Sequence, residues 1–432
     1  MVRKVGLLNH MGGGNLGDDA TQAAVIQNIK SRWPEAEIFG FSMNPSDTEE
    51  RHRIPSYPIR TETWSANQSH VNSSATVGKR MKRFLRKFQL LTKVPKSIKA
   101  LTSGVPRVVF EELTFLCRSH RVIRSFDLLI ISGGGQLLDS WGGPWKFPYT
   151  VFKWTLLAKL SGVKCFFLNV GAGPLNNPLA KWFVTSALSH ADYISFRDED
   201  SRSLVQRIGF KGKGHISADC VYALDLSVRS RLVTRIQEEP TVGLSPMAYC
   251  DPRVYWKKDR ATYERFIRNL ASFGSWLGEN RYLLTLFSTD IFFDSQTIED
   301  LKASLANPDG NSPLRRIRHE RIVEIDGLLS QMYSMDYIVT CRFHGVVFAH
   351  LLNKPVLALS HHPKVSTLMN DLGLSRYCVD IASCDVDVLK ETFQSLVVNR
   401  DEIQSRMAEK LACYRKSLSI QFDQLFPRAT KI

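Results

Sequence analysis

Cysteine pairs, long apolar runs and metal-ligand patterns are all missing from this sequence. Its eight cysteines include no C-x-x-C pair, and a chain of 432 residues does not need disulfides to fold, so we expect free thiols in a reducing compartment. No apolar run reaches the ~20 residues that span a bilayer, and MVRKVGLLNH lacks the apolar core of a signal peptide. His361 and His362 have no partner ligands at a suitable spacing, so we expect no metal site. These absences favour a cytoplasmic enzyme or binding protein.

The positive charge is concentrated in one segment. The net charge is +15, and residues 51–126 contain 16 Lys or Arg against three acidic residues. Within this segment, GKRMKRFLRKFQLLTK has apolar residues at helical spacing and basic residues on the other faces. Such a helix, at 79–92, can lie on an anionic membrane surface; alternatively, it packs on its own domain with a solvated basic face. Nucleic-acid binding would leave the motifs described below unexplained, so we expect no nucleic-acid partner.

Short β-like runs alternate with helical segments in two series along the chain. The first contains KVGLLN, AEIFGFS, DLLIIS, KCFFLNV and DYISF, and the second contains TVGLS, RYLLTLF, RIVEI, MDYIVT and PVLAL. This rhythm predicts an α/β protein with two Rossmann-like domains facing a central cleft, at 1–210 and 241–432, joined by a linker at 211–240. Residues 46–125 interrupt the first series as a basic insertion, and its first part, rich in Ser, Thr, Asn and Pro, is expected to be a long loop or poorly ordered. An amphipathic tail at about 385–425 is expected to pack back on the N-terminal domain as a helix.

A glycine-rich stretch, MGGGNLGDD, follows the first predicted strand. Gly12, Gly14 and Gly17 match G-x-G-x-x-G, and glycines before a helix let the backbone approach an anion. A dinucleotide site also needs an acidic residue at the end of the second strand, and AEIFGFSMN has none. Asn15 and Asp18 therefore have two interpretations: a helix cap with a first-turn acid, or groups that contact a substrate.

Two further loops follow predicted strands, where the ligands of α/β sheets collect. In SGGGQLLD, Gly133, Gly134 and Gly135 expose backbone amides and Asp139 is near the same rim; a tight turn with a surface aspartate is the alternative. In SFRDEDS, Arg197 lies at a strand end, where its planar fork suits a carboxylate or a phosphate. An ordinary pair between this arginine and an Asp or Glu remains the alternative.

The densest group of polar residues lies in TCRFHG and HHPKVS. Arg342 and His344 occupy the turn after one strand, before an apolar helix that begins with Gly345, and Lys364 opens the helix after the next strand. Because neighbouring parallel strands end at the same edge of a sheet, these side chains are expected to lie together beside two positive helix ends. The sequence therefore predicts an anion site at this edge.

In these blocks the sequence resembles the polysaccharide pyruvyl transferase family. The resemblance covers most of the chain in order, through GGGNLGDDA, SGGGQLLD, GAGP, FRDEDS, CRFHGVVFAHLLNKPVLAL and PKVSTLMNDLGL. It implies a GT-B-like pair of Rossmann domains and transfer of pyruvate from phosphoenolpyruvate to two sugar hydroxyls, with phosphoenolpyruvate as a co-substrate and no cofactor. One departure is that Asp219 is followed by Cys220, where the family commonly has Asp-Pro.

The resemblance places the donor site on four residues. Phosphoenolpyruvate brings a carboxylate and a phosphate, which need at least two cationic anchors, and Arg197, Arg342 and Lys364 would supply them. The methylene carbon of the donor must be protonated so that a hydroxyl can attack the adjacent carbon. His344, titrating near neutrality among cations, would supply this proton or stabilise the departing phosphate.

The acceptor side is assigned less directly. Asp18 or Asp139 would deprotonate a sugar hydroxyl, while Asn15, Gly17 and the Gly133–Gly135 run would line the substrate pocket. The acceptor would be a sugar or a lipid-linked oligosaccharide of a bacterial-type surface polysaccharide. Two other functions compete with this one: a GT-B glycosyltransferase that uses a nucleotide sugar, and a non-enzymatic protein that binds an anionic surface.

Overall fold

Two parallel β-sheets with helices on their faces form the core of the protein. The computed structural model describes residues 2–9, 12–61, 105–227, 239–306 and 317–428. The helix expected at 79–92, and most of the basic insertion around it, lie outside these ranges. Within the described residues, no helix combines the length and the apolarity needed to cross a bilayer.

The N-terminal sheet has seven parallel strands in the order β3-β2-β1-β4-β5-β6-β7. Its strands are β1 (Lys4–Leu8), β2 (Glu37–Ser42), β3 (Ser56–Pro58), β4 (Leu128–Ser132), β5 (Lys164–Val170), β6 (Tyr193–Phe196) and β7 (His215–Ile216). The helices are α1 (Leu16–Arg32), α2 (Pro45–His52), α3 (Val105–Ile123), α4 (Phe147–Leu160), α5 (Pro178–Ser189) and α6 (Glu199–Arg207). Every residue of β4 is buried, as expected for a central parallel strand that is covered on both faces.

The C-terminal sheet has six parallel strands in the order β10-β9-β8-β11-β12-β13. Its strands are β8 (Thr241–Ser245), β9 (Leu283–Leu286), β10 (Ile317–His319), β11 (Tyr337–Thr340), β12 (Val356–Ser360) and β13 (Cys378–Asp380). The helices are α7 (Arg260–Glu279), α8 (Ser295–Leu305), α9 (Ile325–Tyr333), α10 (Phe343–Leu351), α11 (Pro363–Asp371), α12 (Val386–Val398) and α13 (Arg400–Leu425).

The strand order reverses in the middle of each sheet. In the N-terminal sheet β1 pairs with both β2 and β4, and in the C-terminal sheet β8 pairs with both β9 and β11. Loops that leave a sheet at such a reversal diverge to opposite faces and open a crevice for ligands. The loops that leave the sheets at these reversals are those after β1 and β4 in the N-terminal sheet and those after β8 and β11 in the C-terminal sheet.

Side-chain caps fix where several helices begin. Asn177 accepts a hydrogen bond from the backbone amide of Leu179, and Pro178 opens α5. Asp198 caps α6 by accepting a bond from the amide of Ser201 at 2.6 Å, as its position before the helix predicts. These caps hold the loops that carry the polar motifs in one conformation.

The described part of the basic insertion is more ordered than the sequence indicates. Residues 46–125 include most of α2, the edge strand β3 and the whole of α3. The expectation of a loop after residue 45 is therefore wrong for α2 and β3. Strand β3 is short and pairs only with β2, so its local sequence carries little of the alternation that marks a half-buried strand.

Four other boundaries differ from the sequence predictions. RIVEI does not form a strand: β10 lies just before it, and Ile325 begins α9. The linker at 211–240 contributes β7 to the N-terminal sheet. The tail at 385–425 is two helices divided at Asn399, and α10 begins at Phe343, two residues before the expected Gly345.

The C-terminal helix α13 packs against the N-terminal domain. Arg32 donates a hydrogen bond from Nε to Asp423 at 2.9 Å, and Gln421 donates one from Nε2 to the side-chain oxygen of Asn169 at 2.8 Å. The indole nitrogen of Trp33 donates to the carbonyl of Pro427, just after the helix. These bonds tie the end of the chain across the boundary between the sheets.

Candidate active site

The loop after β1 makes direct backbone contact with the C-terminal domain. The amide of Leu16 donates to the carbonyl of Thr289 at 2.9 Å, and the amide of Ile291 donates to the carbonyl of Gly14 at 3.0 Å. The side-chain oxygen of Asn15 accepts bonds from the amides of Gly17 and Asp18, so it caps α1. Asn15 thus forms the helix cap that was one of its two interpretations from the sequence. The loop that it stabilises closes one side of the cleft.

Gly17 and His344 meet across the domain boundary. A Cβ atom added at Gly17 would overlap the imidazole of His344, so only glycine permits this approach. His344 lies in the first turn of α10 and is 8% exposed. The glycine motif of one domain and the histidine motif of the other therefore form one site.

The imidazole of His344 is surrounded by positive charge. Burial lowers its pKa well below the ordinary value, and Arg197, Lys364 and Arg342 lower it further. Its Nε2 is buried and has no hydrogen-bond partner among the described residues. The sequence predicts a histidine that titrates near neutrality; the structure instead gives a neutral imidazole at pH 7, because both burial and the cations oppose its protonation.

Asp18 is a buried carboxylate of this site. It is 7% exposed, and burial, followed by the repulsion of the adjacent Asp19, raises its pKa to about 7. Arg197 and Lys364 act in the opposite direction on the same pKa, which places both cations within electrostatic reach. A Cβ atom at Gly134 would lie 3.2 Å from the Asp18 carboxylate. A carboxyl group half ionised near pH 7 is suited to proton transfer.

The glycine run after β4 serves mainly to position Asp18, rather than to line a ligand pocket itself. Gly133 and Gly134 both have positive φ, of 55° and 62°, which glycine adopts without strain. A side chain at Gly133 would overlap Thr21 on α1, and one at Gly135 would only reach ordinary contact with Leu138. The turn thus lets α1 and its carboxylate lie close to the N-terminal sheet.

Arg197 lies at the end of β6, as the sequence predicts, and its guanidinium reaches the domain boundary. It stacks on the ring of Phe343 at 4.4 Å, and it packs so closely on Gly171 that a Cβ there would be 2.6 Å from Nε. Its nitrogens lie 3.4 Å from the carboxylate of Asp198 and 3.6 Å from that of Asp219. Nε nevertheless has no hydrogen bond of good geometry among the described residues. These contacts fix the position of the guanidinium, and its Nε is still able to donate a hydrogen bond.

Arg342 is engaged by a partner that the sequence did not indicate. Its Nε and Nη2 donate two hydrogen bonds to the carboxylate of Asp294, at 2.7 and 2.6 Å, and Nη2 lies 3.4 Å from Asp290. This bidentate pair occupies the fork that was expected to hold a donor anion. Arg342 therefore shapes the site, and its charge adds to the effect of burial in lowering the pKa values of His344 and Lys364.

Lys364 is the cation of the group that makes no ion pair with a described carboxylate. It is the second residue of α11, and its ammonium lies 6.0 Å from the centre of the Phe343 ring. Burial lowers its pKa to about 8, and Arg197 and Arg342 contribute to this decrease. A half-buried ammonium that makes no ion pair with a described carboxylate is suited to bind an anionic ligand.

A cavity of about 440 Å³ opens beside these cations. Both domains line it: Arg197 and Asp219 come from one, and Phe343, Lys364 and Tyr414 come from the other. Its volume lies within the range of small-molecule sites. Asp18 and His344 are buried and are not part of its lining, but Arg197 and Lys364, which do line it, act electrostatically on both.

Asp139 is not brought into this group. Its carboxylate accepts hydrogen bonds from the backbone amides of Asn176 and Asn177, both at 2.7 Å, and so fixes the loop before α5. The alternative interpretation of Asp139, as a residue of a turn, describes it better than catalysis. The choice between the two carboxylates proposed as a base therefore falls on Asp18.

Two aspartates of the site were missed by the sequence analysis. Asp290 and Asp294 follow β9 in FSTDIFFD, and both are buried, at 2% and 0% exposure. Burial and the charge of Asp294 raise the pKa of Asp290. The sequence could have indicated them, since these carboxylates follow a predicted strand in the same way as the motifs MGGGNLGDD, SGGGQLLD, SFRDEDS and TCRFHG. Across the described ranges, no three His, Cys, Asp or Glu side chains converge as metal ligands do.

The architecture is similar to that of several solved sugar-nucleotide enzymes. UDP-GlcNAc 2-epimerase from Neisseria meningitidis bound to UDP-GlcNAc superposes with a TM-score of 0.60 at 11% identity, over 98% of this chain and 99% of that chain. A putative UDP-N-acetylglucosamine 2-epimerase from Listeria monocytogenes gives 0.60 at 11% identity, over 100% and 98%. The MnaA-UDP complex of S. aureus gives 0.55 at 11% identity, over 94% and 91%. At this identity the likeness shows the fold alone.

The two sheets and their helices define a GT-B-like fold with two Rossmann-like domains. The family model of polysaccharide pyruvyl transferase matches residues 15–363. The chain belongs to the polysaccharide pyruvyl transferase family and is therefore a transferase. The match contains Asp18, Arg197, Arg342 and His344 and ends one residue before Lys364.

The contact between Gly17 and His344 yields a first prediction. Gly17→Ala is expected to displace the imidazole, and misplacing a catalytic group by about 1 Å can lower turnover about 100-fold. The measurement is kcat of the purified variant with saturating substrates.

A matched control is available on α9. Gly327→Ala also adds a methyl group to a helical glycine, but there it meets only the side chain of Ile322, at 3.1 Å. We expect this variant to keep its turnover within a few-fold. A Gly17→Ala enzyme as active as the Gly327→Ala enzyme would show that the position of His344 is unimportant.

Proposed function

We propose that this protein transfers pyruvate from phosphoenolpyruvate onto two hydroxyls of a sugar and forms a cyclic ketal. The acceptor would belong to a bacterial-type surface polysaccharide or to its lipid-linked precursor. The supporting observation is the pair of cations Arg197 and Lys364, which come from different domains and lie over the same Phe343 ring. Both cations also act on the pKa values of buried Asp18 and His344, so a bound anion would lie within electrostatic reach of both proton-transfer groups.

The reaction balances without an oxidant or a further reactant. The methylene carbon of phosphoenolpyruvate gains a proton, and the first hydroxyl oxygen bonds to the adjacent carbon as it loses its own proton. The second hydroxyl oxygen then bonds to that carbon as its bond to the phosphate oxygen breaks. Of the two hydroxyl protons released, one replaces the proton that was given to the methylene carbon, and the other leaves with the phosphate.

Each residue has a separate task in this proposal. Arg197 and Lys364 bind the carboxylate and the phosphate of the donor, and Arg342, held by Asp294, adds positive potential at the same place. Asp18 removes a proton from a sugar hydroxyl, for which its pKa of about 7 makes it a stronger base than an ordinary aspartate.

His344 would become an acid only when the donor is bound. In the free protein the surrounding cations lower its pKa. A donor anion would offset the charges of Arg197 and Lys364, raise the pKa of the imidazole, and allow it to carry a proton to the donor. Acid catalysis would in this way be coupled to occupation of the donor site.

This coupling predicts proton uptake on binding. At pH 7, phosphoenolpyruvate is expected to bind with uptake of up to about one proton by His344, since an anion favours the imidazolium. Calorimetry in buffers of different ionisation enthalpy measures the number of protons. His344→Gln should take up fewer protons than the wild type, whereas His190→Gln, which changes the residue directly after α5, should not differ. Equal uptake by the wild type and His344→Gln would exclude the histidine as the acceptor of the proton.

The reaction itself is tested with purified protein, phosphoenolpyruvate and candidate sugars, both soluble and lipid-linked. Release of phosphate together with a product whose mass has increased by one pyruvate ketal would support the proposal. Release of a nucleoside diphosphate from a sugar nucleotide would instead favour a GT-B glycosyltransferase. Binding to anionic surfaces without any turnover would favour a non-enzymatic role.

We also propose a cytoplasmic location with peripheral contact at the inner face of the membrane through 79–92. Basic residues in an amphipathic segment attract anionic lipids, each by roughly 1 kcal/mol near the surface. Deleting 79–92 should reduce membrane association but spare turnover of a soluble acceptor. Equal loss of both would identify this segment as structural.

A further inference from the structure

An exposed aromatic surface covers the outer side of α4 and α5. Trp145, just before α4, and Trp182, on α5, are 63% and 54% exposed. Both pack on the buried ring of Phe183, at centroid distances of 5.5 and 5.3 Å, so they belong to one continuous patch. Tyr149 and Phe152 fill the space between them. Large exposed aromatic patches of this kind mark interaction sites.

The stretch of chain that carries α4 and α5 has charge of one sign. No Asp or Glu occurs between Asp139 and Asp192, a stretch that includes all of α4 and α5. The same stretch contains five lysines, among them exposed Lys159 and half-buried Lys181. Glu112 on α3 accepts a hydrogen bond from Lys153, so the charges of these two side chains offset each other. The remaining lysines favour an anionic partner for this surface.

We propose that the surface formed by Trp145, Trp182 and the lysines of α4 and α5 rests on an anionic membrane. Tryptophan prefers the boundary between water and lipid, where its ring is buried and its N–H group stays hydrated. Lysines at the same level bind anionic headgroups. A protein partner would not require the complete absence of acidic residues over 52 positions, whereas a uniformly negative lipid surface repels every carboxylate brought to it.

The position of this surface relative to the site supports the same conclusion. Trp141, four residues before Trp145, contacts the ring of Phe293 at 6.0 Å. Phe293 directly precedes Asp294, which holds Arg342 in the site. The aromatic surface therefore borders the loop that closes the cleft, and an enzyme resting on it would present the cleft next to the membrane.

The test is co-sedimentation of the full chain with phosphatidylcholine vesicles, with and without phosphatidylglycerol. The wild type is expected to bind the vesicles that contain phosphatidylglycerol. Trp145→Ala and Trp182→Ala together should weaken binding about 100-fold, at about tenfold for each large apolar side chain withdrawn from lipid. Trp256→Ala is the matched control, since Trp256 is 72% exposed on the C-terminal domain, and it should bind like the wild type.

A second variant tests the charge without touching the aromatic packing. Lys159→Gln with Lys181→Gln should weaken binding by about fivefold per lysine, and the loss should shrink as salt is raised. Vesicle binding by the double tryptophan variant equal to the wild type would overturn the proposal, as would equal binding of the wild type to both kinds of vesicle. Sedimentation velocity separates a further outcome: loss of self-association without vesicle binding would show that a second copy covers the surface. None of these measurements depends on turnover.

Discussion

Replacing Asp18 with asparagine is expected to lower kcat by about 10²–10⁴-fold, the usual contribution of a positioned general base. The amide keeps the size of the side chain beside Gly134 but cannot accept a proton from a sugar hydroxyl. Binding of phosphoenolpyruvate should change little, because Arg197 and Lys364 remain in place. The measurement is kcat and KM for the donor, with circular dichroism to confirm that the variant is folded.

The pH profile gives an independent readout of the same residue. Burial and Asp19 raise the pKa of Asp18 to about 7. If the ionised carboxylate is the base, kcat/KM of the wild type falls as pH decreases through about 7, and Asp18→Asn lacks this acid limb. Asp139→Asn is the control, since Asp139 was the competing candidate, and both its rate and its acid limb should be retained. An Asp18→Asn enzyme with the wild-type rate or an unchanged acid limb would contradict the assignment.

The sequence was sufficient for the central strands and for the class of fold. DLLIIS and TVGLS contain β4 and β8, as predicted. Strands that are buried on both faces are apolar throughout, and this pattern can be recognised from the residues of the strand alone. The short outer strands β3, β7 and β10 were missed or misplaced. Each has only two or three residues, and neither residue of β7 is buried. Their pairing is decided by the strand beside them, which the local sequence does not encode.

The site was predicted in part for a related reason. Asp18, Arg197, His344 and Lys364 all follow parallel strands, and the carboxyl ends of such strands meet at one edge. The sequence does not show which charged groups of the site already form ion pairs with other side chains. Arg342 and Asp294 are 48 residues apart and belong to loops after different strands, so the bidentate pair is visible only in three dimensions. The same holds for the approach of Gly17 to His344 and for the burial of that imidazole, which lowers its pKa.

Lys364→Gln is expected to lower kcat/KM for phosphoenolpyruvate by about 10–100-fold, the value of one hydrogen bond to a charged group. Lys364 is the cation of the site without a described carboxylate partner, so its charge is free to balance that of the donor. The loss should lie mainly in KM, in contrast to Asp18→Asn. Initial rates over a range of donor concentrations separate the two effects.

The alkaline side of the pH profile distinguishes this lysine from a structural one. Burial lowers the pKa of Lys364 to about 8, so kcat/KM of the wild type should fall as pH rises through about 8 and the ammonium loses its proton. Lys364→Arg keeps its charge at every accessible pH and should lose this limb while retaining part of the donor affinity. Lys354→Gln removes another partly buried lysine of the C-terminal domain, one that lies over Tyr333, and should leave KM unchanged. A Lys364→Arg enzyme whose alkaline limb stays near pH 8 would show that a different group controls donor binding.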